Sequence, residues 1–391
     1  MQTVRPWLPG DRTAPLRLGK GTTTVRASRP FLPDRKRLDG YIDRVYQTAW
    51  LTNDGPLVRE LETRLAQHLG IQHVLLVANG TLALQIAYRV LGITGSVITT
   101  PFSFVATASS LVWEGLRPVF ADIDPATLNL DPANLAAAHT ETVSGIVPVH
   151  VFGNPCEVAT IDRYAAEAGL KVIYDGAHAF GVEHGGRSLV ASGDATILSF
   201  HATKLFHTIE GGAVVFADAA AQAEARQMIN FGIDGEDSVG SLGINAKMNE
   251  FEAAMGLAVL EEIDTITAAR RRINQIYSDR LRGTVGFQQR SPDATDNHAY
   301  FPILLEDNAE MDAVRVSLLA IGAQARRYFH PSLDTLPYVD SPPMPHSRHS
   351  AASILCLPIY PALRDSEAAL IADTVAQTVG ERRRIGAKGC R

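Results

Sequence analysis

The chain has 391 residues, 46% of them hydrophobic and 20% charged, and its 36 Lys and Arg against 42 Asp and Glu give a formal net charge of −6. That length can bury a large core in two or three domain-sized units, and the mildly acidic balance argues against nucleic acid or an anionic membrane as the main partner and for a small molecule. The cysteines Cys156, Cys356 and Cys390 are scattered, without CxxC or Cys/His metal spacing, and no stretch of about 18 uncharged apolar residues occurs, so a cytoplasmic protein with reduced thiols, no metal and no membrane segment is expected.

Residues 1–28 mix Arg, Thr, Gly and Pro without periodicity, and a flexible N-terminal arm is expected there. From Pro56, the residues Leu57, Val58, Leu61, Leu65 and Leu69 recur at spacings of three and four up to Gly70, which predicts an amphipathic helix. Apolar, β-rich runs then alternate with helix-length segments: 73–77, 97–100, 118–121, 145–149, 170–174, 195–199 and 213–216. Runs apolar on both faces predict an α/β fold with a mostly parallel seven-stranded sheet flanked by helices. Asp131-Pro132 suits the N-cap and first position of one such helix, and Gly169 the end of another.

Between Met248 and Leu281 there is no proline, and Phe251, Met255, Leu257, Leu260, Ile263 and Ile266 predict one long helix or two abutting ones. After a Gly/Pro/Asp-rich break at 283–297 comes a smaller α/β unit: a strand at 300–305, a helix at 309–321, an extended run at 323–328, a proline-rich ordered loop over 331–350 and a final helix at 366–379. The expected division is therefore an arm over 1–28, a large domain over 29–265 and a small C-terminal domain over 266–391.

The chemistry is concentrated in Ser199-Phe200-His201-Ala202-Thr203-Lys204, followed by Glu210-Gly211-Gly212. A lysine is ordinarily a solvated surface charge, but Lys204 trails one buried-type strand and precedes another. Upstream, the run 170–174 ends in Asp175-Gly176-Ala177-His178, which puts a carboxylate and an imidazole at a strand's carboxyl end, where α/β proteins collect ligand groups. A pyridoxal 5′-phosphate (PLP) site needs four things: a lysine for the Schiff base, an acid at the pyridine nitrogen, an aromatic on the ring face and donors for the phosphate. Lys204 and Asp175 suit the first two roles, although Asp175 equally suits a turn cap. His178 suits the cofactor's phenolate oxygen or a structural place. Gly80 and Thr81, in a strand-to-helix turn Asn79-Gly80-Thr81, together with Ser199 suit the phosphate. Phe104 suits either the ring face or the core.

Together these motifs resemble the nucleotide-sugar aminotransferases of the DegT/StrS family, a branch of the fold-type I PLP enzymes. The likeness runs from about Pro30 to about Pro361 and includes Trp50 to Pro56, Asn79 to Leu84, Val149 to Gly153, Asp175 to His178, Ser199 to Lys204, Glu210 to Gly212 and Gly243 to Glu250. The resemblance implies Lys204 as Schiff-base lysine and proton shuttle, Asp175 at the pyridinium, His178 near the phenolate oxygen and Phe104 against the ring. It implies Gly80, Thr81 and Ser199 on the phosphate, with Asn245 reaching it from the neighbouring subunit of a homodimer. Many relatives carry arginine two residues after that asparagine, whereas this chain has Lys247, so that arginine's role does not transfer. The run from Ala202 to Gly212, with Asn230-Phe231-Gly232-Ile233, resembles the subgroup that aminates C4 of dTDP-4-keto-6-deoxyglucose, with glutamate as amino donor and pyridoxamine 5′-phosphate between half-reactions. The lysine itself speaks against the dehydratase relatives, which carry histidine there.

On the sugar side, Arg326, Arg327, Tyr328 and His330 suit a nucleotide diphosphate or, equally, a solvated strand end. The alternatives are amination of a 3-keto sugar or keto-cyclitol and, more distantly, a non-catalytic PLP-binding regulator. A nicotinamide-dependent oxidoreductase would need a GxGxxG after the first strand, where Asn79-Gly80-Thr81 stands instead.

Overall fold

The computed structural model of the protein describes residues 24–389. Most of the expected arm and Cys390 lie outside the described residues. Of the arm's last residues, Val25 is buried and bridges Ala323 of the C-terminal unit.

Helices α1 (Arg35–Thr48) and α2 (Pro56–Leu69) precede β1 (His73–Val77), α3 (Gly80–Val90), β2 (Ser96–Thr99), α4 (Val105–Trp113) and β3 (Arg117–Phe120). A short α5 (Leu135–Ala138), β4 (Val143–Val147), α6 (Val158–Ala168) and β5 (Lys171–Asp175) follow. Next come a two-residue hairpin β6/β7 (Glu183–His184, Arg187–Ser188), β8 (Ala195–Ser199), β9 (Gly212–Phe216), α7 (Ala219–Met228) and the hairpin β10/β11 (Ile233–Gly235, Ser238–Val239). The chain ends with α8 (Glu250–Leu260), α9 (Ile263–Leu281), β12 (Pro302–Leu304), α10 (Asn308–Ala320), α11 (Pro345–Ser353), β13 (Ile354–Cys356) and α12 (Asp365–Gly389).

All seven runs expected from their apolar pattern join one sheet in the order β1-β9-β8-β5-β4-β2-β3. β9 runs antiparallel to both neighbours and the other pairings are parallel. Helices cover both faces: α1, α2 and α8 pack with Leu76, Leu198 and Val215 on one, and α3 packs with Leu75, Ile197 and Val214 on the other. Such double burial explains why the strands are apolar throughout rather than alternating. A separate core of α9, α10 and α12 around Ile303 and Leu355 holds the C-terminal unit together.

α2 begins as its proline suggests, but its cap comes from far away. Glu250, 1% exposed at the start of α8, accepts from the amides of Leu57 and Val58 at 2.8 and 2.9 Å. Gly212 is needed for close approach: a Cβ there would lie 2.7 Å from the carbonyl carbon of Asn79 and 2.8 Å from the nitrogen of Gly80, so β9 slides directly beneath the start of α3.

Two expectations for the C-terminal unit are corrected. The run 323–328 is no strand. Ala323 and Arg326 make single bridges to Val25 and Cys356, because β13 is only three residues long and already pairs with β12. The expected loop over 331–350 contains the start of α11, whose His346 and Ser347 amides are held by Asp122, 2.9 Å each, a cap invisible to local pattern. Asp131-Pro132 opens a 3-10 turn, Pro132–Asn134, which runs into the short α5.

Candidate active site

The carboxyl ends of the parallel strands and the N-terminus of α3 converge on one cavity of about 230 Å³. At its α3 wall, Asn79 caps the helix, its Oδ1 taking the Leu82 amide at 2.9 Å and its carbonyl the Ala83 amide at 3.1 Å. The amides of Gly80 and Thr81 therefore fall in the first helical turn, where no intrahelical acceptor exists and the helix dipole favours an anion. Ser199 ends β8 beside them, and a Cβ on Gly80 would lie 3.0 Å from that of Ser199.

β5 delivers Asp175, only 6% exposed. Its Oδ2 accepts from Thr107 Oγ1 at 2.9 Å and its Oδ1 from the Ala177 amide at 3.1 Å. Burial holds this carboxyl above the usual carboxylate range, against the pull of those two donors and of the Lys204 charge. His178, two residues beyond Gly176, accepts the Phe152 amide on Nδ1 at 3.2 Å, which leaves the proton of the neutral ring on Nε2. Burial, and then the nearby Lys204, push its pKa well below that of a free histidine.

Lys204 lies in the loop between the antiparallel neighbours β8 and β9. Main-chain bonds from Phe200 to Gly211 (2.8 Å) and Ala202 to Ile209 (2.7 Å) stiffen that loop, and Phe206 stacks on Phe180, centroids 4.7 Å apart. The side chain lines the cavity, and its Nζ reaches Tyr300 Oη at 3.4 Å. Burial lowers its pKa to about 8, with Asp175 opposing and Arg326 assisting. Asp175 and Lys204 attract one another, but for both groups desolvation prevails and favours the neutral form.

Of the residues singled out from sequence, Gly80, Thr81, Phe104, Asp175, His178, Ser199, Lys204, Arg326 and Tyr328 line this one cavity. Phe104 stands at the start of α4, 53% exposed towards the cavity mouth rather than in the core. The Arg326 guanidinium lies over the Tyr328 ring, 4.6 Å from its centroid. Arg327 and His330 are not brought in: Arg327 turns to the carbonyls of Ala351 and Ala352 and to Asn308, with His330 beside it, held there by those partners. Asn245 is exposed and bridged to Asn230, outside this cavity.

Sequence reasoning gave no role to Thr107, Tyr300, Phe329 or Glu210, although Glu210 stood in the motif that follows Lys204. Thr107 carried a signal, standing four residues after Ser103, which precedes α4, and their hydroxyls are 2.7 Å apart. Tyr300 carried none, being a lone tyrosine before a short strand. Among the described residues, no group of three His, Cys, Asp or Glu suits a metal ion, and no helix is long and apolar enough to cross a membrane.

The site can be set beside known proteins. The DegT/DnrJ/EryC1/StrS aminotransferase family profile matches residues 34–376. The chain is 40% identical over 361 residues to a dTDP-4-amino-4,6-dideoxy-D-glucose transaminase of Shigella dysenteriae, covering 90% of this chain and 98% of the relative. A transaminase of the same name from Escherichia coli is 39% identical over 355 residues, covering 88% and 95%. The crystal structure of DesI in the presence of its TDP-sugar product superposes with a TM-score of 0.88 at 38% identity, over 95% of this chain and 97% of that one. By sequence and fold alike, this chain belongs to the DegT/DnrJ/EryC1/StrS aminotransferase family.

Proposed function

We propose that the protein is a pyridoxal 5′-phosphate-dependent aminotransferase. It moves an amino group from glutamate to dTDP-4-keto-6-deoxyglucose, giving dTDP-4-amino-4,6-dideoxyglucose. The likeness to the transaminases of Shigella dysenteriae and Escherichia coli supports the sugar, and the family supports the reaction class. The single observation that carries the chemistry is the convergence, on one cavity, of an amine of lowered pKa, a buried carboxylate and a free helix N-terminus.

The residues present fit the cofactor. Asp175 would hold the ring nitrogen, and its buried carboxyl would keep that nitrogen protonated. Gly80, Thr81 and Ser199 would hold the phosphate at the α3 N-terminus. Phe104 would cover the ring, and the Nε2–H of His178 would meet the phenolic oxygen. When bound, the group supplies an aldehyde for covalent capture of an amine and an electron sink for the carbon that loses a proton.

The chain's own task is to move that proton. Lys204 Nζ takes it from Cα of glutamate and, in the second half-reaction, returns one to the carbon that becomes C4 of the amino sugar. With a pKa near 8, roughly a tenth of the amine is neutral at pH 7, against less than about a thousandth for an ordinary lysine. Arg326, stacked on Tyr328, would bind the nucleotide diphosphate, since a guanidinium matches phosphate oxygens in pairs. Arg327 and His330 form no part of this reading.

A homodimer with shared sites in the cytoplasm completes it: exposed Asn245 would serve the phosphate of a second copy. NMR of the products from a panel of dTDP-, UDP- and GDP-linked keto sugars tests the reading. The expected product carries its new amine on C4 of the dTDP sugar; exclusive amination of a 3-keto sugar would overturn the substrate assignment.

A further inference from the structure

Arg327 stands between two residues that line the cavity, Arg326 and Tyr328, yet its own side chain leads away from it. The end of α11 is where it goes. The carbonyls of Ala351 and Ala352 lie in that helix's last turn, where no intrahelical donor remains and the dipole favours a cation. Arg327 Nη2 reaches them at 3.4 and 3.3 Å, and reaches Asn308 Oδ1, at the start of α10, at 3.1 Å. The opposite charge holds the other end of α11. Buried Asp122, just past β3 in the large unit, takes the His346 amide on Oδ2 and the Ser347 amide on Oδ1, at 2.9 Å each. No side chain of the residue preceding α11, Met344, caps it. From α11 the chain passes straight into β13, whose Cys356 exchanges main-chain bonds with Arg326 at 3.0 and 2.8 Å. The segment beyond the cavity wall returns to the same helix: buried Asp334 accepts from Arg348 Nε at 2.6 Å and from the Met344 amide at 3.1 Å. The Leu333 amide adds a second tie to the large unit, at the Pro101 carbonyl, 2.8 Å away.

We infer that Asp122 and Arg327 are a pair of positioning residues that clamp α11 as a strut, so that Arg326 and Tyr328 present a fixed face to the nucleotide diphosphate. This role rests on Arg326 binding that diphosphate, as proposed above. The Arg326 side chain leans on the Tyr328 ring, 4.6 Å from its centroid, so its place depends on the backbone beneath both residues. That backbone is fastened to β13 through Cys356, and β13 continues directly from α11. A helix of nine residues, roughly 13 Å long, carries a displacement along its length instead of absorbing it. Asp122 ties its N-terminus to the large unit, and Arg327 ties its C-terminus to the wall, each charge complementing the dipole at its own end. On the apolar side, Ile123, next to Asp122, shares a buried cluster with Phe329, Ala351 and Cys356, so the same end of β3 supports the wall from below. Because the two charges serve one helix, loss of either frees the same wall.

The test is a double-mutant cycle, Asp122→Ala, Arg327→Met and the two together, in the full-length enzyme loaded with pyridoxal 5′-phosphate and titrated calorimetrically with dTDP alone. Each single variant should bind dTDP about tenfold more weakly, and the double variant also about tenfold, because release of either end already frees the wall. Independent contributions would multiply to about a hundredfold; that result, or full affinity in both single variants, overturns the inference. Should Asp122→Ala fail to fold, Asp122→Asn, which keeps one acceptor oxygen, takes its place in the cycle. In turnover, Arg327→Met should raise the KM for the keto sugar about tenfold with little change in kcat. The glutamate half-reaction, which involves no sugar, should keep its rate. Arg327→Lys, which returns a cation to the helix end, should recover part of the KM. Equal slowing of both half-reactions would mean general loosening of the fold and overturn the inference. Arg326→Met separates the strut from the reading beneath it. Undiminished dTDP affinity in that variant overturns the nucleotide reading and the strut with it, whereas a loss there beside full affinity in Asp122→Ala and Arg327→Met overturns the strut alone.

Discussion

Thr107→Val removes one hydroxyl from the support of Asp175 while nearly preserving volume. In the wild type, fully buried Thr107 donates to Asp175 Oδ2 at 2.9 Å and lies 2.7 Å from Ser103 Oγ. A hydrogen bond to an ionised acceptor contributes about 1.5–3 kcal/mol, so its loss should raise the Asp175 pKa by about one to two units beyond what burial already imposes. The sign follows from linkage. A carboxyl whose folded pKa lies above its unfolded value costs stability as pH rises through the interval between the two. Cofactor-free Thr107→Val should therefore lose about 1.5–3 kcal/mol more by urea unfolding at pH 8 than at pH 4. Where the cofactor ring must meet an anion, its affinity should fall most on the acid side, moving the acid limb of the binding profile upwards by the same one to two units, read from the visible absorption band. Thr107→Ser, which restores the hydroxyl, should recover both. A pH-independent loss in Thr107→Val, or no rescue by serine, would refute the claim that the hydroxyl acts through the charge of Asp175.

Lys204→Ala should abolish both half-reactions while retaining part of the cofactor affinity, and Asn245→Ala should weaken phosphate binding in a partner's site. If sites are shared, mixing the two variants through an unfolding and refolding cycle should give hybrids with one intact site, more active at limiting cofactor than either parent; a mixture no more active than the average of its parents would show that each chain works alone. Glu250→Gln leaves one of the two α2 amides facing an NH2 group instead of an acceptor, and should cost about 2 kcal/mol in urea unfolding, with the KM for glutamate little changed.

Much of the large unit was legible because its pattern is redundant. Strands such as Ala195–Ser199 are apolar on both faces and are separated by helix-length segments, so their type follows from burial alone. The site was legible where a residue sits at a strand end or helix start, as Asp175 and Gly80 do, since topology brings such positions together. Legibility failed where contacts are long-range. Glu250 caps α2 from almost two hundred residues away, and Asp122 caps α11 from farther still. The same holds for Tyr300, whose meeting with Lys204 depends on how α9 and the segment after it pack. Arg327 and His330 failed for a different reason: composition suggested phosphate binding, but the direction of a side chain in an irregular extended segment is set by neighbours that no period reveals. α4, rich in β-branched and small polar residues, gave no helical pattern of its own and owes its form to packing.

The reversed strand β9 has a consequence for how the molecule assembles. Because β8 and β9 are antiparallel neighbours joined by the loop over 200–211, the turn bearing Lys204 is a hairpin, closed by contacts near in sequence. Asp175 joins it through a parallel neighbour, but Tyr300 and Arg326 arrive only when the C-terminal unit docks. Closing local loops costs less chain entropy than closing distant ones. Lys204 and Asp175 can therefore be in place in a partly folded chain before Tyr300 and Arg326 reach them. On this ordering the completed cavity is the last feature the fold acquires and, when the C-terminal unit loosens, the first it gives up.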